Sequence, residues 1–258
     1  MRALLLLLAF SLGFLGTGLP SPAKGASAAA SLYNQGNKFY QEGDYEKARE
    51  LYLQALAAGA EDPDLYYNLG NAEFRRGKLG LAIANYLRAQ RLAPRDKEIK
   101  ANLEYARKQV SARPAELKRG PLSKGFFWVA SLLSANEWTG VLVGLYWLMG
   151  LAGTGLILSE RQARRKIFFL LLLLALGTAL LLLPFGAFKI KQDFFTSRAV
   201  VVEEKVPARS GPEPDLAVII ELVEGVEVVV DHCENGWCQV KIPGGFRGWV
   251  KASSLEML

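Results

Sequence analysis

His232, Cys233 and Cys238 are the residues of this 258-residue chain best suited by type to do chemistry at close quarters, for it has one histidine and two cysteines. A thiol beside an imidazole is the nucleophile and base of a cysteine hydrolase, and cysteines with histidine can bind zinc. The spacing argues against a hydrolase. His232 and Cys233 are adjacent, and on a strand neighbouring side chains leave by opposite faces. For a metal site no further ligand is evident. The stretch CENGWC reads instead as a hairpin: Asn235-Gly236 is the strongest two-residue turn signal. That turn pairs Glu234 with Trp237 and sets Cys233 opposite Cys238 at a non-hydrogen-bonded position, where side chains approach most closely. Such a pair can close a disulfide; free thiols and a metal ligand remain the other two readings. No phosphate loop, zinc motif or nucleophile elbow occurs in the sequence. No catalytic residue, metal or cofactor is expected, and the chain is expected not to be an enzyme.

The hairpin needs a sheet to hold it. From Ala199 the sequence breaks into short runs, AVVVEEKV, LAVIIELV, VEVVVDHC, WCQVKI and FRGWVK, with Gly, Pro and Asp between them. This predicts a small five-stranded barrel over 199–258. That region has 5 Lys or Arg against 10 Asp or Glu, a net −5, while the remainder has 26 against 15, a net +11. The acidity disfavours acidic polymers as ligands. It suits docking on the basic repeat region, whether of the same chain or of another copy.

The segment ARSGP at 208–212, Glu224-Gly225, Gly236-Trp237 and Gly248-Trp249-Val250 resemble the bacterial SH3-like domain. Members bind peptides or cell-wall glycopeptides through an aromatic-lined surface, which the resemblance would place at Trp237 and Trp249. The alternative puts Trp249 in the barrel core and Trp237 over the hairpin.

Apolar residues, 51% of the chain, pile up in blocks at Ala3 to Leu19, Phe126 to Leu158 and Ile167 to Phe188. A spanning helix takes about 20 apolar residues, so this is expected to be a membrane protein. Ser134-Ala-Asn-Glu137 is a capping box. It predicts a helix over 135–158, about 36 Å long at 1.5 Å per residue, with a second over 167–188. Neither holds the charged groups of a transport path, so the pair reads as an anchor. Residues 113–134 form a linker with an apolar, aromatic interfacial stretch. The basic excess beside these segments is explained by lipid head groups and snorkelling, and no nucleic-acid partner is expected.

Between the two helices, 159–166 holds Arg161, Arg164, Arg165 and Lys166. A short loop this basic marks the cytoplasmic side, although Lys118, Arg119, Lys124, Lys189 and Lys191 flank the far ends. The N-terminus agrees: Arg2, an apolar run and Ala26-Ser27-Ala28 read as a signal peptide over 1–28, or else as an uncleaved first helix. Either would export the repeat region downstream of it. The repeats and the barrel are then both outside the cytoplasm, on a bacterial inner membrane.

A second pattern lies upstream of the apolar pair. Gly36 and Gly70, Asn37 and Asn71, Tyr40 and Phe74, Gly43 and Gly77, Ala48 and Ala82, Tyr52 and Tyr86, and Ala55 and Ala89 are all 34 residues apart, the mark of an internal repeat. The small residues fall where two helices would cross, and the tyrosines fill the space between. Gly36, Ala48, Tyr52 and Ala55, then Leu69, Gly70, Ala82, Tyr86, Ala89 and Pro94, resemble tetratricopeptide repeats. This implies all-α helical repeats over 29–112, two copies and a capping helix. Two copies are few for a stable stack, so a neighbour is expected to complete it. Such repeats bind peptides or proteins in a groove, which would be lined by Tyr33, Asn37, Tyr40, Asn68, Asn71, Phe74 and Arg75. Asn37 and Asn68 match the asparagines of the family's carboxylate clamp, but Tyr33, Glu98 and Asn102 stand at its basic positions, so that clamp is expected to be absent. Alternatively the asparagines tie neighbouring repeats together.

The full order is signal segment, repeats, two membrane helices and SH3-like barrel. It resembles the BatE-like proteins of the bacterial aerotolerance operon. That resemblance implies a non-enzymatic scaffold working with von Willebrand factor A-type membrane proteins and a MoxR-type ATPase in envelope maintenance or stress tolerance. The rival reading is a cell-wall anchor whose barrel grips peptidoglycan while the repeats recruit a wall enzyme.

Overall fold

The computed structural model describes residues 25–111, 120–242 and 245–258. The signal segment expected over 1–28 lies outside the described residues as far as position 24; its Ala26-Ser27-Ala28 triplet falls in the first turn of a helix. Most of the expected linker's first half, 112–119, also lies outside them.

Five helices come first: α1 (Gly25–Gln41), α2 (Tyr45–Ala57), α3 (Pro63–Arg75), α4 (Leu79–Leu92) and α5 (Lys97–Gln109). Asp44, Asp62 and Asp96 precede α2, α3 and α5, and each carboxylate accepts a first-turn backbone N–H. Such a cap is worth about 1 kcal/mol. Gly43 and Gly77 turn the chain with φ of +84° and +77°, a conformation that costs glycine little. The 34-residue coincidences are a packing device. A Cβ at Gly36 would lie 2.6 Å from the Tyr52 ring, and one at Gly70 2.7 Å from the Tyr86 ring. Each glycine thus admits a tyrosine from the next helix. Buried Glu73 locks the first copy to the second: Arg49 holds it at 2.8 Å and Arg76 grips its other oxygen, while Arg76 also reaches Glu46 at 2.6 Å.

Next come α6 (Pro121–Ala130), α7 (Ala135–Leu158) and α8 (Gln162–Phe194). The capping box forms: Ser134 N donates to Glu137 Oε2 at 2.9 Å and Glu137 N to Ser134 Oγ at 3.3 Å. The helix α7 has the bounds its sequence predicts. The helix α8 does not: it starts five residues before the expected 167 and ends six beyond 188. Gln, Ala, Arg and Lys are good helix formers, so the basic stretch winds into the helix. Pro184 sits inside the helix without ending it. Thirty-three residues rise about 50 Å, longer than the hydrocarbon core of a bilayer at about 30 Å. Both helices are long and apolar enough to cross a membrane, and only 6% of each apolar window is buried. The core helix of a soluble protein would be mostly covered. The helix α6 lies against the end of this pair through Phe126 and Phe127, which meet Phe185 and Phe188 with ring centroids 4.9 to 5.4 Å apart. Trp138 Nε1 donates to the Ala130 carbonyl at 3.1 Å.

The C-terminal module holds seven strands rather than five: β1 (Arg198–Val201), β2 (Lys205–Arg209), β3 (Val218–Val223), β4 (Glu227–Glu234), β5 (Trp237–Lys241), β6 (Arg247–Lys251) and β7 (Leu255–Met257). They form one antiparallel sheet in the order β3-β2-β6-β5-β4-β1-β7. The run AVVVEEKV splits at Val202–Glu204 into β1 and β2, because β1 pairs with β4 and β7 while β2 pairs with β3 and β6.

This module packs against α4 and α5. Ala82, Ile83, Tyr86, Leu103, Ala106 and Val110 share one continuous core with the buried valines and leucines of the sheet. Polar contacts frame it. Gly80 N donates to Glu224 Oε1 at 2.9 Å, and Arg88 pairs with Glu256 at 2.5 Å and donates to the Met257 carbonyl. Glu227 is shared between Arg107 at 2.6 Å and Arg198 at 2.9 Å. Burial would push the Arg107 guanidinium down; Glu227 and Glu104 more than offset this and leave it raised. The sheet thus supplies the cover that a further helix would give to α5, and no partner subunit is required for it.

The contact is close at Gly80, where a Cβ would lie 2.3 Å from the Val201 carbonyl oxygen. Gly80→Val is expected to destabilise the docked form by about 1–3 kcal/mol. Hydrogen exchange on the full chain in detergent checks this: amides of α4 and of β1 should exchange faster together, while those of α1 and α2 keep their protection.

Candidate functional site

The seven residues expected to line a groove fall into two groups. Tyr33, Asn37, Asn68 and Asn71 belong to a hydrogen-bond ladder that repeats with the sequence. Asn37 Oδ1 accepts from the Tyr52 hydroxyl at 2.8 Å and from Asn68 Nδ2 at 3.1 Å, and Asn68 Nδ2 also donates to the Tyr33 hydroxyl at 2.9 Å. One period on, Asn71 Oδ1 accepts from the Tyr86 hydroxyl at 2.7 Å and from Asn102 Nδ2 at 3.1 Å, and Asn102 Nδ2 donates to the Tyr67 hydroxyl at 2.8 Å. Burial pushes the Tyr52, Tyr86 and Tyr67 hydroxyls upward in pKa, so they stay protonated near neutral pH. The ladder joins α1 to α3 and α3 to α5. Asn102 and Tyr67 complete it, and the signal for both was the same 34-residue offset, from Asn68 and from Tyr33.

The other three residues gather at one end of the same face. Arg75 lies over the Tyr45 ring at 5.6 Å, and Tyr45 meets Tyr40 edge-on at 5.2 Å. Its hydrogen bond with Tyr40, and then the neighbouring Tyr45, raise Arg75 in pKa. Phe74 packs on Tyr105 at 5.7 Å, and Tyr105 is 57% exposed. The result is an aromatic and cationic patch on α1, α3 and α5. Its chemistry suits an extended peptide: flat rings cover apolar side chains, and a guanidinium meets a carboxylate or a carbonyl.

In the hairpin, Asn235 and Gly236 take φ of +50° and +79°, and Glu234 faces Trp237. Cys233 and Cys238 face each other with Cα atoms 4.0 Å apart and their sulfurs at bonding distance. His232 pairs in register with Gln239, and its ring meets Trp249 edge-on at 5.0 Å. Among the described residues, no group of three or more His, Cys, Asp or Glu could hold a metal. Trp249 is only 9% exposed: it packs into the sheet and offers little surface to a ligand. Trp237 is half-buried.

Arg161 stands at the N-cap position of α8 without a side-chain cap bond, and Arg164, Arg165 and Lys166 lie in its first turns, all exposed. The expected loop over 159–166 is therefore short, with helix from Gln162. Cations at a helix N-terminus oppose its dipole, so helix stability does not account for this placement.

Residues 202–256 match the family described as bacterial SH3 domain, and residues 33–97 match that described as tetratricopeptide repeat. Among solved structures the chain is similar to the first TPR of Spaghetti (RPAP3) bound to an HSP90 peptide. That similarity has 22% identity, a TM-score of 0.19, and covers 32% of this chain and 92% of that one. No curated protein matches the chain. The fold is thus a helical tetratricopeptide-like region, two candidate membrane-spanning helices and an antiparallel sheet of bacterial SH3 type.

The ladder can be tested at its centre. Asn71→Ala would strand the Tyr86 hydroxyl and one Asn102 donor and is expected to cost about 1–3 kcal/mol. Asn34→Ala, at an exposed position on α1, should stay within about 0.5 kcal/mol. Urea unfolding of the full chain in detergent, followed by circular dichroism, measures both.

Proposed function

We propose that this chain is a membrane-anchored scaffold that binds proteins or peptides through the α1, α3 and α5 face of its repeats. The observation that carries this reading is the position of the SH3-type sheet. It packs on α4 and α5, while Tyr40, Phe74, Arg75 and Tyr105 remain together on the helices of the other face. Tetratricopeptide and SH3-type modules are both binding modules, which supports protein or peptide ligands. The helices α7 and α8 would serve as the anchor. The Arg161, Arg164, Arg165 and Lys166 cluster would lie in the cytoplasm, with repeats and sheet in the periplasm or on the outer side. In that compartment Cys233 and Cys238 would form a disulfide. The order of modules supports a place among von Willebrand factor A-type proteins and a MoxR-type ATPase system in envelope maintenance.

Three experiments test this. Tyr40→Ala with Arg75→Ala should fold normally and lose most captured partner when the full chain is pulled from solubilised membranes. Capture unchanged from wild type would remove the groove from the proposal. Alkaline phosphatase fused after Leu258 should be active, and a fluorescent protein that folds only in the cytoplasm should glow when inserted within 159–166. Alkylation before and after reduction should then show two thiols appearing only after reduction. The reverse fusion pattern would turn the protein over, and two thiols free before reduction would exclude the disulfide.

A further inference from the structure

A cavity of about 220 Å³ opens where α4, α5, α8 and β1 meet beside the α6–α7 turn. Arg88, Arg91, Lys100, Lys189 and Arg198 line it, with Asp193 the one acidic side chain. Three of the cations already have partners: Arg88 holds Glu256, Arg198 holds Glu227, and Lys189 pairs with Asp193 at 3.0 Å. Arg91 and Lys100 have no carboxylate partner among the described residues. The cavity therefore has two unneutralised cations and room for one anionic group.

Its position says which anion. Ser131, in its wall, lies in the turn before the α7 cap, and Gln192 and Thr196 lie at the end of α8. The rings of Phe126, Phe127, Phe185 and Phe188 cluster at this same end of the helix pair. Trp128, Phe194 and Phe195 are 64%, 65% and 79% exposed there, as aromatic residues at a membrane interface are. The cavity thus lies at head-group depth, and its volume is below the roughly 300 Å³ at which sites for whole drug-sized ligands begin. We infer that it is a binding site for the phosphate-bearing head group of an anionic phospholipid, with Arg91 and Lys100 as the binding cations. This rests on α7 and α8 spanning a membrane; it does not depend on which side the cavity faces. Because its walls come from the repeats, the α8 end and β1, the cavity is complete only when all three are docked.

Native mass spectrometry of the full chain in detergent, with phosphatidylglycerol and phosphatidylcholine added in equal amounts, tests this. The wild type should retain phosphatidylglycerol in preference. Arg91→Gln with Lys100→Gln, the first half-buried and the second exposed, should lower that preference about tenfold. Arg164→Gln with Arg165→Gln, an equal charge change at the opposite end of α8, should lower it markedly less, by no more than general charge attraction supplies. Equal loss in both variants would reduce the effect to general charge attraction and overturn the site. Inorganic phosphate raising the melting temperature through Arg91 and Lys100, with no lipid preference, would assign the site to free phosphate and overturn the lipid. Carbonate washing of membranes separates the premise: release of the chain would sink the anchor, whereas retention without lipid preference sinks this inference alone.

Discussion

The exposed end of a short helical stack is the constraint on which the other features of the molecule depend. The helix α5 buries Ile99, Leu103 and Ala106, and in a longer stack its outer flank would meet another helix. Two copies and one added helix cannot supply that cover. The sheet does so instead, joining Val200, Val201 and Val226 to Ile83, Leu103 and Val110 in one core. Each Å² of apolar surface removed from water contributes about 25 cal/mol, so the continuous core rather than its ion pairs sets the docked arrangement. The ion pairs fix orientation. Glu227 can meet Arg107 and Arg198 together in one register only, and Gly80 is small enough for β1 to sit flush on α4.

That arrangement divides labour on the repeats. The α4 side is committed to the sheet. On the other side the asparagine ladder fixes the spacing of α1, α3 and α5 by bonds that are all internal, which leaves Arg75 and Tyr105 exposed beside the half-buried Tyr40 and Phe74. An unpaired buried amide or hydroxyl costs more than a pair returns, so the ladder holds the face in one geometry. A face held rigid in this way loses less conformational entropy on binding.

Much of this was legible. The 34-residue offset located the helices, because the glycine–tyrosine contacts recur at that spacing. Asn235-Gly236 placed Cys233 opposite Cys238, because a two-residue turn fixes register. Ser134 and Glu137 located the start of α7. Three features were hidden, each for a physical reason. The ends of α8 lie outside its apolar run, and hydropathy does not see where a helix continues through Arg, Lys and Gln. The β1 and β2 strands read as one because no Gly, Pro or Asp stands between them, and only their different partners separate them. Docking was visible only as charge complementarity, since the apolar residues that make it, Ile83 and Val226 among them, look like ordinary core. For the same reason the sequence leaves two readings open for Asn37 and Asn71: a periodic polar residue on a helix face reads alike whether it meets a peptide or the next repeat.

The docking also bears on topology, and independently of any charge count. Two modules that share a dry core must lie in one compartment. The chain leaves the repeats after α5, passes through α6, α7 and α8, and returns as β1 to pack on α4. If it crosses a membrane on the way, it must cross an even number of times. Two apolar helices meet that condition, and one would not. The helices α7 and α8 therefore act as a hairpin inserted between two halves of a single folded unit. Glu137, at the mouth of the hairpin, is paired with Arg95 just before α5, an exposed contact that joins the hairpin to the repeats.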